Sequence, residues 1–240
     1  MLQKSLLLVL LIFTCHLEAQ NRPLQIEKIT ENLYNYTTYQ TFNGTLYSSN
    51  ALYLVTQDGV VLFDTPWDKQ LNQPLLDSIQ QKHQLAVVKV FATHWHEDRA
   101  GSFEFFNRLG IDTYASQKTN QKLKDEGLAT AIHTFEDKAT FTVGQDVFEL
   151  LFVGEGHTFD NIVVWFPQQR VLDGGCLVKS IAATDLGNIS EANLEAWPFS
   201  IINIQKRFEN AKFIIPGHDN WKGQGHLEHT LKLLKEHKRD

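Results

Sequence analysis

Thr93-His94-Trp95-His96-Glu97-Asp98-Arg99 sets three potential metal ligands at every second position, directly after the run Ala-Val-Val-Lys-Val-Phe-Ala at residues 86–92. That run is rich in β-branched and apolar residues and reads as a buried strand, so the chemistry sits at a strand end. In an extended or tightly turning segment alternate side chains project to one side. His94, His96 and Asp98 can therefore converge while Trp95 and Glu97 point away. Two imidazoles and a carboxylate suit zinc. A lone His-x-His is more often a polar loop, and it is the aspartate together with the strand-end position that carries the metal reading.

Three later segments repeat one pattern: an apolar strand, then glycine, then a soft or imidazole ligand. His157 follows Val153-Gly154-Glu155-Gly156, Cys176 follows Gly174-Gly175, and His218 follows Pro216-Gly217. Glycine lets the backbone turn sharply and approach a buried ion closely. Each alone is weak, because a strand-end histidine is usually a hydrogen-bonded loop residue and a lone cysteine usually packing. Together with His94, His96 and Asp98 they make six ligands, enough for two ions with open positions.

Around these motifs the chain alternates strands and helices. Residues 24–39 alternate apolar and polar side chains, as short antiparallel strands do. Residues 39–47 read as a hairpin turning at Asn43-Gly44, with Phe42 and Leu46 near its exposed tip, the pattern of a lid or of an ordinary surface loop. Residues 49–56 and 59–64 form a second strand pair. Asp64 follows them, either as a carboxylate orienting a ligand histidine or as a turn residue. Helical spacing marks residues 71–83, 101–109, 119–126, 198–208 and 225–238, and further strands fall at 140–143, 147–153, 162–166, 171–176 and 212–218. His83, His133, His226, His229 and His237 lack ligand-like spacing and read as surface or helix-face histidines. No linker or shift in composition divides the chain, so residues 20–240 read as one α/β domain of two packed sheets with helices outside.

At 240 residues with 42% hydrophobic side chains the chain can bury a substantial core. A net charge of -6 with scattered cations argues against nucleic acid as a partner. Lys4 precedes an apolar run at residues 5–14 that is too short to span a bilayer, which is the form of a secretory signal peptide ending near Ala19. Cys15 is an alternative lipid acceptor, poorly matched by the preceding Phe13 and Thr14. Removal of the leader leaves Cys176 as the one remaining cysteine, either buried and inert or held by metal as thiolate. No stable membrane association after leader removal is expected.

The combined motifs resemble those of a class B, subclass B1 metallo-β-lactamase of the metallo-β-lactamase superfamily. The residues that carry the resemblance are His94-Trp95-His96-Glu97-Asp98-Arg99, Gly156-His157-Thr158, Gly174-Gly175-Cys176-Leu177-Val178-Lys179, Asn188 and Pro216-Gly217-His218. The resemblance implies an αββα sandwich of mostly antiparallel sheets and two zinc ions, the first on His94, His96 and His157 and the second on Asp98, Cys176 and His218. It implies hydrolysis of the β-lactam amide of penicillins, cephalosporins and carbapenems by zinc-bound hydroxide, in the bacterial periplasm; the absence of a large apolar surface stripe in the sequence reads as a monomer. In that scheme Asp98 positions the water, Asn188 assists the oxyanion and Lys179 pairs with the substrate carboxylate. Phe42, Leu46 and Trp67 line the apolar wall, and Arg99 supports the second zinc. Asp219 departs from the family's usual glycine after His218. Thiolesterase and lactonase members of the superfamily carry histidine where Arg99 stands and aspartate where Cys176 stands. A lactone or thioester hydrolase is the nearest rival, and a zinc-binding protein without turnover is the rival from another class.

Overall fold

The computed structural model describes residues 24–238; the leader, its cleavage point and Cys15 lie outside the described residues. Its first sheet takes β1 (Gln25–Lys28), β2 (Leu33–Phe42), β3 (Thr45–Thr56), β4 (Gly59–Phe63), β5 (Val87–Phe91), β6 (Asp112–Ser116) and β7 (His133–Phe135), in that spatial order. The second takes β8 (Lys138–Val143), β9 (Asp146–Leu151), β10 (Val163–Phe166), β11 (Val171–Gly175) and β12 (Phe213–Pro216), also in order. Neighbours from β1 to β4 and from β8 to β11 are antiparallel. From β4 to β7, and between β11 and β12, they are parallel. The helices are α1 (Asn72–His83), α2 (Glu97–Ala100), α3 (Phe103–Arg108), α4 (Gln117–Asp125), α5 (Trp197–Arg207) and α6 (His226–His237).

The period-2 pattern explains the layering. Leu52 and Leu54 of β3, with Val61 and Phe63 of β4, point into a core between the sheets, where they meet Phe148, Val164 and Phe166. Their neighbours Ala51, Tyr53, Val60 and Leu62 point outward beneath Leu75 and Ile79 of α1 and Phe103 and Phe106 of α3. Val163 and Trp165 of β10 face Trp197, Ile201 and Ile204 of α5 and Leu233 and Leu234 of α6. Strands covered on both faces read as continuous apolar runs, as β4 does, with all five residues buried. Phe63 anchors the central core, its ring centroid 4.9 Å from Phe148 and 4.8 Å from Phe166, both edge-on.

Two sequence expectations gain detail. The hairpin and the following pair share one strand: β3 runs unbroken from Thr45, pairing with β2 out to Phe42 opposite Thr45. Asn43 and Gly44 both have positive φ, 50° and 78°, as a type I′ turn needs. Of the two readings offered for His226, surface or helix face, the second holds: it is the first residue of α6, buried, and its Nδ1 accepts the Ile181 amide at 3.1 Å.

Candidate metal centre

All six sequence-nominated ligands come together at the same end of the two sheets. His94 and His96 leave β5, Asp98 lies in α2, His157 follows β9, Cys176 follows β11 and His218 follows β12. His94, Asp98, His157 and Cys176 are buried, and His96 and His218 are half-buried. The imidazole centroids of His94, His96 and His157 lie 4.7 Å, 5.0 Å and 5.0 Å apart. Cys176 Sγ is 3.1 Å from His218 Nε2 and 3.5 Å from Asp98 Oδ2. Three overlapping triads have donor atoms within 4.8 Å of one another: His94 with His96 and Asp98, His94 with His157 and Cys176, and Asp98 with Cys176 and His218. His94 thus links the imidazole group to the thiol group.

Hydrogen bonds fix several tautomers. His218 Nδ1 lies 2.6 Å from the Ser48 carbonyl, which can only accept, so Nε2 presents a lone pair to Cys176 and Asp98. His96 Nε2 lies 3.0 Å from Glu191 Oε2, which leaves Nδ1 facing His157 Nε2 at 3.2 Å. Neither ring nitrogen of His94, nor Nδ1 of His157, has a hydrogen-bond partner among the described residues. Burying such groups unpaired is costly. Burial, followed by the neighbouring imidazoles, holds His94 well below its ordinary pKa; burial and then Lys179 do the same for His157. His218 falls to about 4, chiefly through burial. Burial pushes the Cys176 thiol up, an effect Arg99 only partly offsets. Burial would also raise Asp98, yet Arg99 and then His218 hold its carboxylate below the usual range. Neutral imidazoles with bare nitrogens, one carboxylate and a thiol form a donor set that fits divalent zinc, whose charge would favour the thiolate.

Arg99 forms the floor of the site. The guanidinium is fully buried, with Nη1 donating to the Asn50 carbonyl at 2.6 Å and Asp64 Oδ2 at 3.0 Å. Nη2 donates to Cys176 Sγ at 3.1 Å and the Gly217 carbonyl at 2.7 Å, and Nε lies 2.7 Å from Asp98 Oδ2. A Cβ on Gly217 would stand 2.7 Å from Nη2, so only glycine admits this approach. Asp64 touches no ligand imidazole. Its carboxylate accepts the Thr93 amide at 2.6 Å and the Thr93 hydroxyl at 3.0 Å, bracing the base of the ligand loop. On the other side Asp160 accepts the Trp95 amide at 3.0 Å.

The nominated substrate residues are placed less uniformly. Phe42 packs on Trp67 at 5.3 Å and Trp67 on His218 at 5.7 Å, which joins the hairpin tip to the ligand cluster. Leu46 is half-buried opposite Thr41 in the hairpin. Lys179 is buried and not a solvated lysine; its Nζ lies 5.3 Å from the Trp197 ring centroid and burial lowers its pKa. Asn188 is exposed, and its Oδ1 accepts the Ser190 amide at 3.1 Å and hydroxyl at 2.9 Å. That turn uses the acceptor and leaves the amide Nδ2 as the free donor. Asp219 takes φ 62°, which accounts for a glycine preference there; its amide donates to Ser48 Oγ at 2.8 Å and its carbonyl accepts from Asn50 Nδ2 at 2.9 Å.

Sequence reasoning missed Glu191. Its Oε2 lies 3.0 Å from both His96 Nε2 and Trp95 Nε1, although almost a hundred residues separate them in the chain. Its position three residues after Asn188 is the one local cue.

Comparison with known proteins agrees with this geometry. The model of the metallo-beta-lactamase superfamily matches residues 44–218. The chain is 54% identical over 217 residues to metallo-beta-lactamase IND-1 of Chryseobacterium indologenes, covering 90% of this chain and 91% of that protein. It is 45% identical to a type 2 metallo-beta-lactamase of Elizabethkingia meningoseptica, over 89% of this chain and 86% of the relative. The crystal structure of metallo-beta-lactamase IND-7 superposes with a TM-score of 0.88 at 53% identity, covering 90% of this chain and all of that one. A metallo-beta-lactamase from Pontibacter korlensis gives 0.86 at 38% identity, over 89% and 99%. With the family model spanning most of the chain and relatives this similar along nearly their whole length, the chain belongs to the metallo-β-lactamase superfamily and, within it, to the class B1-type enzymes.

Proposed function

We infer that the chain is a zinc-dependent β-lactamase that binds two zinc ions and opens the lactam amide of penicillins, cephalosporins and carbapenems, conferring antibiotic resistance. The observation that carries this is the pairing of Asp98, Cys176 and His218 in one triad directly beside the three imidazoles. His94, His96 and His157 would hold one ion, and Asp98, Cys176 and His218 the other. Bound zinc supplies Lewis acidity and makes water acidic enough to act as a nucleophile near neutral pH.

The remaining steps fall to the chain itself. Lys179 offers a cation for the carboxylate these antibiotics share. The Asn188 amide, freed by its own turn, can donate to the carbonyl oxygen as negative charge develops there. Asp98 is oriented by Arg99 and accepts a hydrogen bond from the attacking water. Phe42 and Trp67, with Leu46, form an apolar wall that tolerates varied side chains. Water adds across the C–N bond: its oxygen stays on the carbonyl carbon, which becomes a carboxylate, one proton goes to the nitrogen and the other is released to solvent.

Among the described residues no helix is long and apolar enough to cross a membrane. We place the mature chain, residues 20–240 as one domain, in the periplasm as a monomer after removal of the leader. The test is loss of carbapenem absorbance with the purified protein, before chelation, after chelation and after zinc is restored. Activity that disappears and returns is expected. No hydrolysis by the zinc-loaded protein would transfer the site to lactones or thioesters.

A further inference from the structure

Glu191 sits where three otherwise separate elements meet. Its Oε2 receives the Trp95 indole N–H and the His96 ring, both at 3.0 Å, while Oε1 lies 3.4 Å from Lys122 Nζ of α4. Lys122 also lies over the Trp95 ring, 4.6 Å from its centroid, and pairs one turn on with Glu126 at 2.5 Å. The segment between Lys179 and α5 has no helix or strand among its residues, and it carries Asn188 three positions before Glu191. Its other side-chain hydrogen bonds to the rest of the fold are Ser180 Oγ to the Asn220 carbonyl at 2.7 Å, the Ile181 amide to His226 Nδ1 at 3.1 Å, the Ala183 carbonyl, which lies 2.8 Å from His229 Nε2, and Asn193 Nδ2 to Glu155 at 2.7 Å, so among the described residues Glu191 is the side-chain hydrogen-bond tether nearest Asn188.

We propose that Lys122 is a positioning residue: by holding Glu191 from α4 it fixes the His96 imidazole and the loop that carries Asn188. The carboxylate has three neighbours and two oxygens. With both donors on Oε2, its orientation depends on what holds Oε1, and Lys122 is that group. Loss of the ammonium frees the carboxylate to rotate into solvent, since Glu191 is 30% exposed. His96 then loses the acceptor that sets its tautomer, and the Asn188 loop, still held by the apolar packing of Leu186 and Ile189, loses its nearest side-chain hydrogen-bond tether. Lys122 touches neither substrate nor metal in this scheme and acts only through Glu191.

The proposal rests on the metal assignment above, and the experiment separates the two. Zinc affinity is measured by competition with a chromophoric chelator for the wild type and for Lys122→Met, Lys122→Arg and Glu126→Ala. Methionine keeps the stem on Trp95 but removes the charge. Its zinc affinity is expected to fall roughly tenfold, the lower end for a residue behind a ligand, with kcat lowered more than KM. Arginine should recover most of both, and Glu126→Ala should bind zinc like the wild type. Wild-type zinc affinity in Lys122→Met would overturn the proposal, as would an equal loss in Glu126→Ala, which would trace the effect to the stability of α4. A wild-type protein that binds no zinc would instead overturn the metal assignment itself.

Discussion

Arg99 Nη2 donates to Cys176 Sγ at 3.1 Å, and neither side chain reaches solvent. The same guanidinium faces the carboxylates of Asp64 and Asp98, so a single cation balances several anionic groups. Arg99→Ala would leave two buried carboxylates without their partner, and removing one member of a buried pair costs about 3–5 kcal/mol. Arg99→Lys keeps the charge yet cannot reach the Asn50 and Gly217 carbonyls with one ammonium. Urea melts should show a large loss for alanine and a smaller one for lysine. Metal analysis should show less than full zinc occupancy in both.

Cys176→Ser should bind one zinc fewer than the wild type. Serine is a poor ligand here because its hydroxyl, unlike a thiol, does not ionise readily beside a divalent ion. Unchanged stoichiometry after dialysis would remove Cys176 from the ligand set.

Lys179→Met preserves the buried aliphatic volume beside Trp197 and deletes the charge. A charge-assisted hydrogen bond contributes about 1.5–3 kcal/mol, so KM for carboxylate-bearing lactams should rise roughly 10- to 100-fold. A neutral ester of the same lactam should be unaffected. Equal effects on acid and ester would dissociate Lys179 from the carboxylate.

Asp173 and Asp64 supply a pH signature of the floor. Burial, then repulsion from Asp64, raises Asp173 to about 7; burial raises Asp64 to about 6 against the pull of Arg99. Asp173 Oδ1 accepts the Gly175 amide at 3.0 Å, whereas Oδ2 has no partner among the described residues and suits a proton. A carboxyl raised in the folded state binds more protons folded than unfolded between about pH 4 and 7, so it removes stability as pH rises through that window. Asp173→Asn should remove Asp173's share of that decline, leaving the part due to Asp64, and melt higher than the wild type at pH 8, with little difference at pH 4. A parallel pH profile in the two proteins would exclude Asp173 as the proton carrier.

The layers and the ligands were legible in the sequence for the same reason: both depend on local patterns. Apolar runs mark the second half of β3, β4 and β10, and a glycine before a ligand marks the ends of β11 and β12. β6 and β7 escaped because Asp112–Ser116 is largely polar and His133–Phe135 has three residues, too few to show a period. The single turn of α2 is set by its place after the ligand loop, with no apolar stripe to announce it. Roles that depend on distant partners were not readable at all. Asp64 read either as an orienter of a ligand histidine or as a turn residue, and its carboxylate braces Thr93 and Arg99. Glu191 carried no motif that pointed to His96, and no local pattern showed that Lys179 would be buried beside Trp197 of α5.

The β2–β3 hairpin divides into two regimes along its length. At its base Asn50 is bound from every direction: its amide to the Gly217 carbonyl at 2.8 Å, its carbonyl to Arg99 at 2.6 Å, its Nδ2 to Pro216 and Asp219, and its Oδ1 to Thr37. At its tip Phe42 is 46% exposed and Tyr47 is 47% exposed, and neither belongs to the buried clusters. A change at Asn50 disturbs the floor and the fold together, whereas a change at the tip alters only what the wall of the cleft presents to a ligand. Under selection by a new antibiotic the two ends would therefore evolve at different rates: the tip can vary freely, while the base holds the chemistry constant.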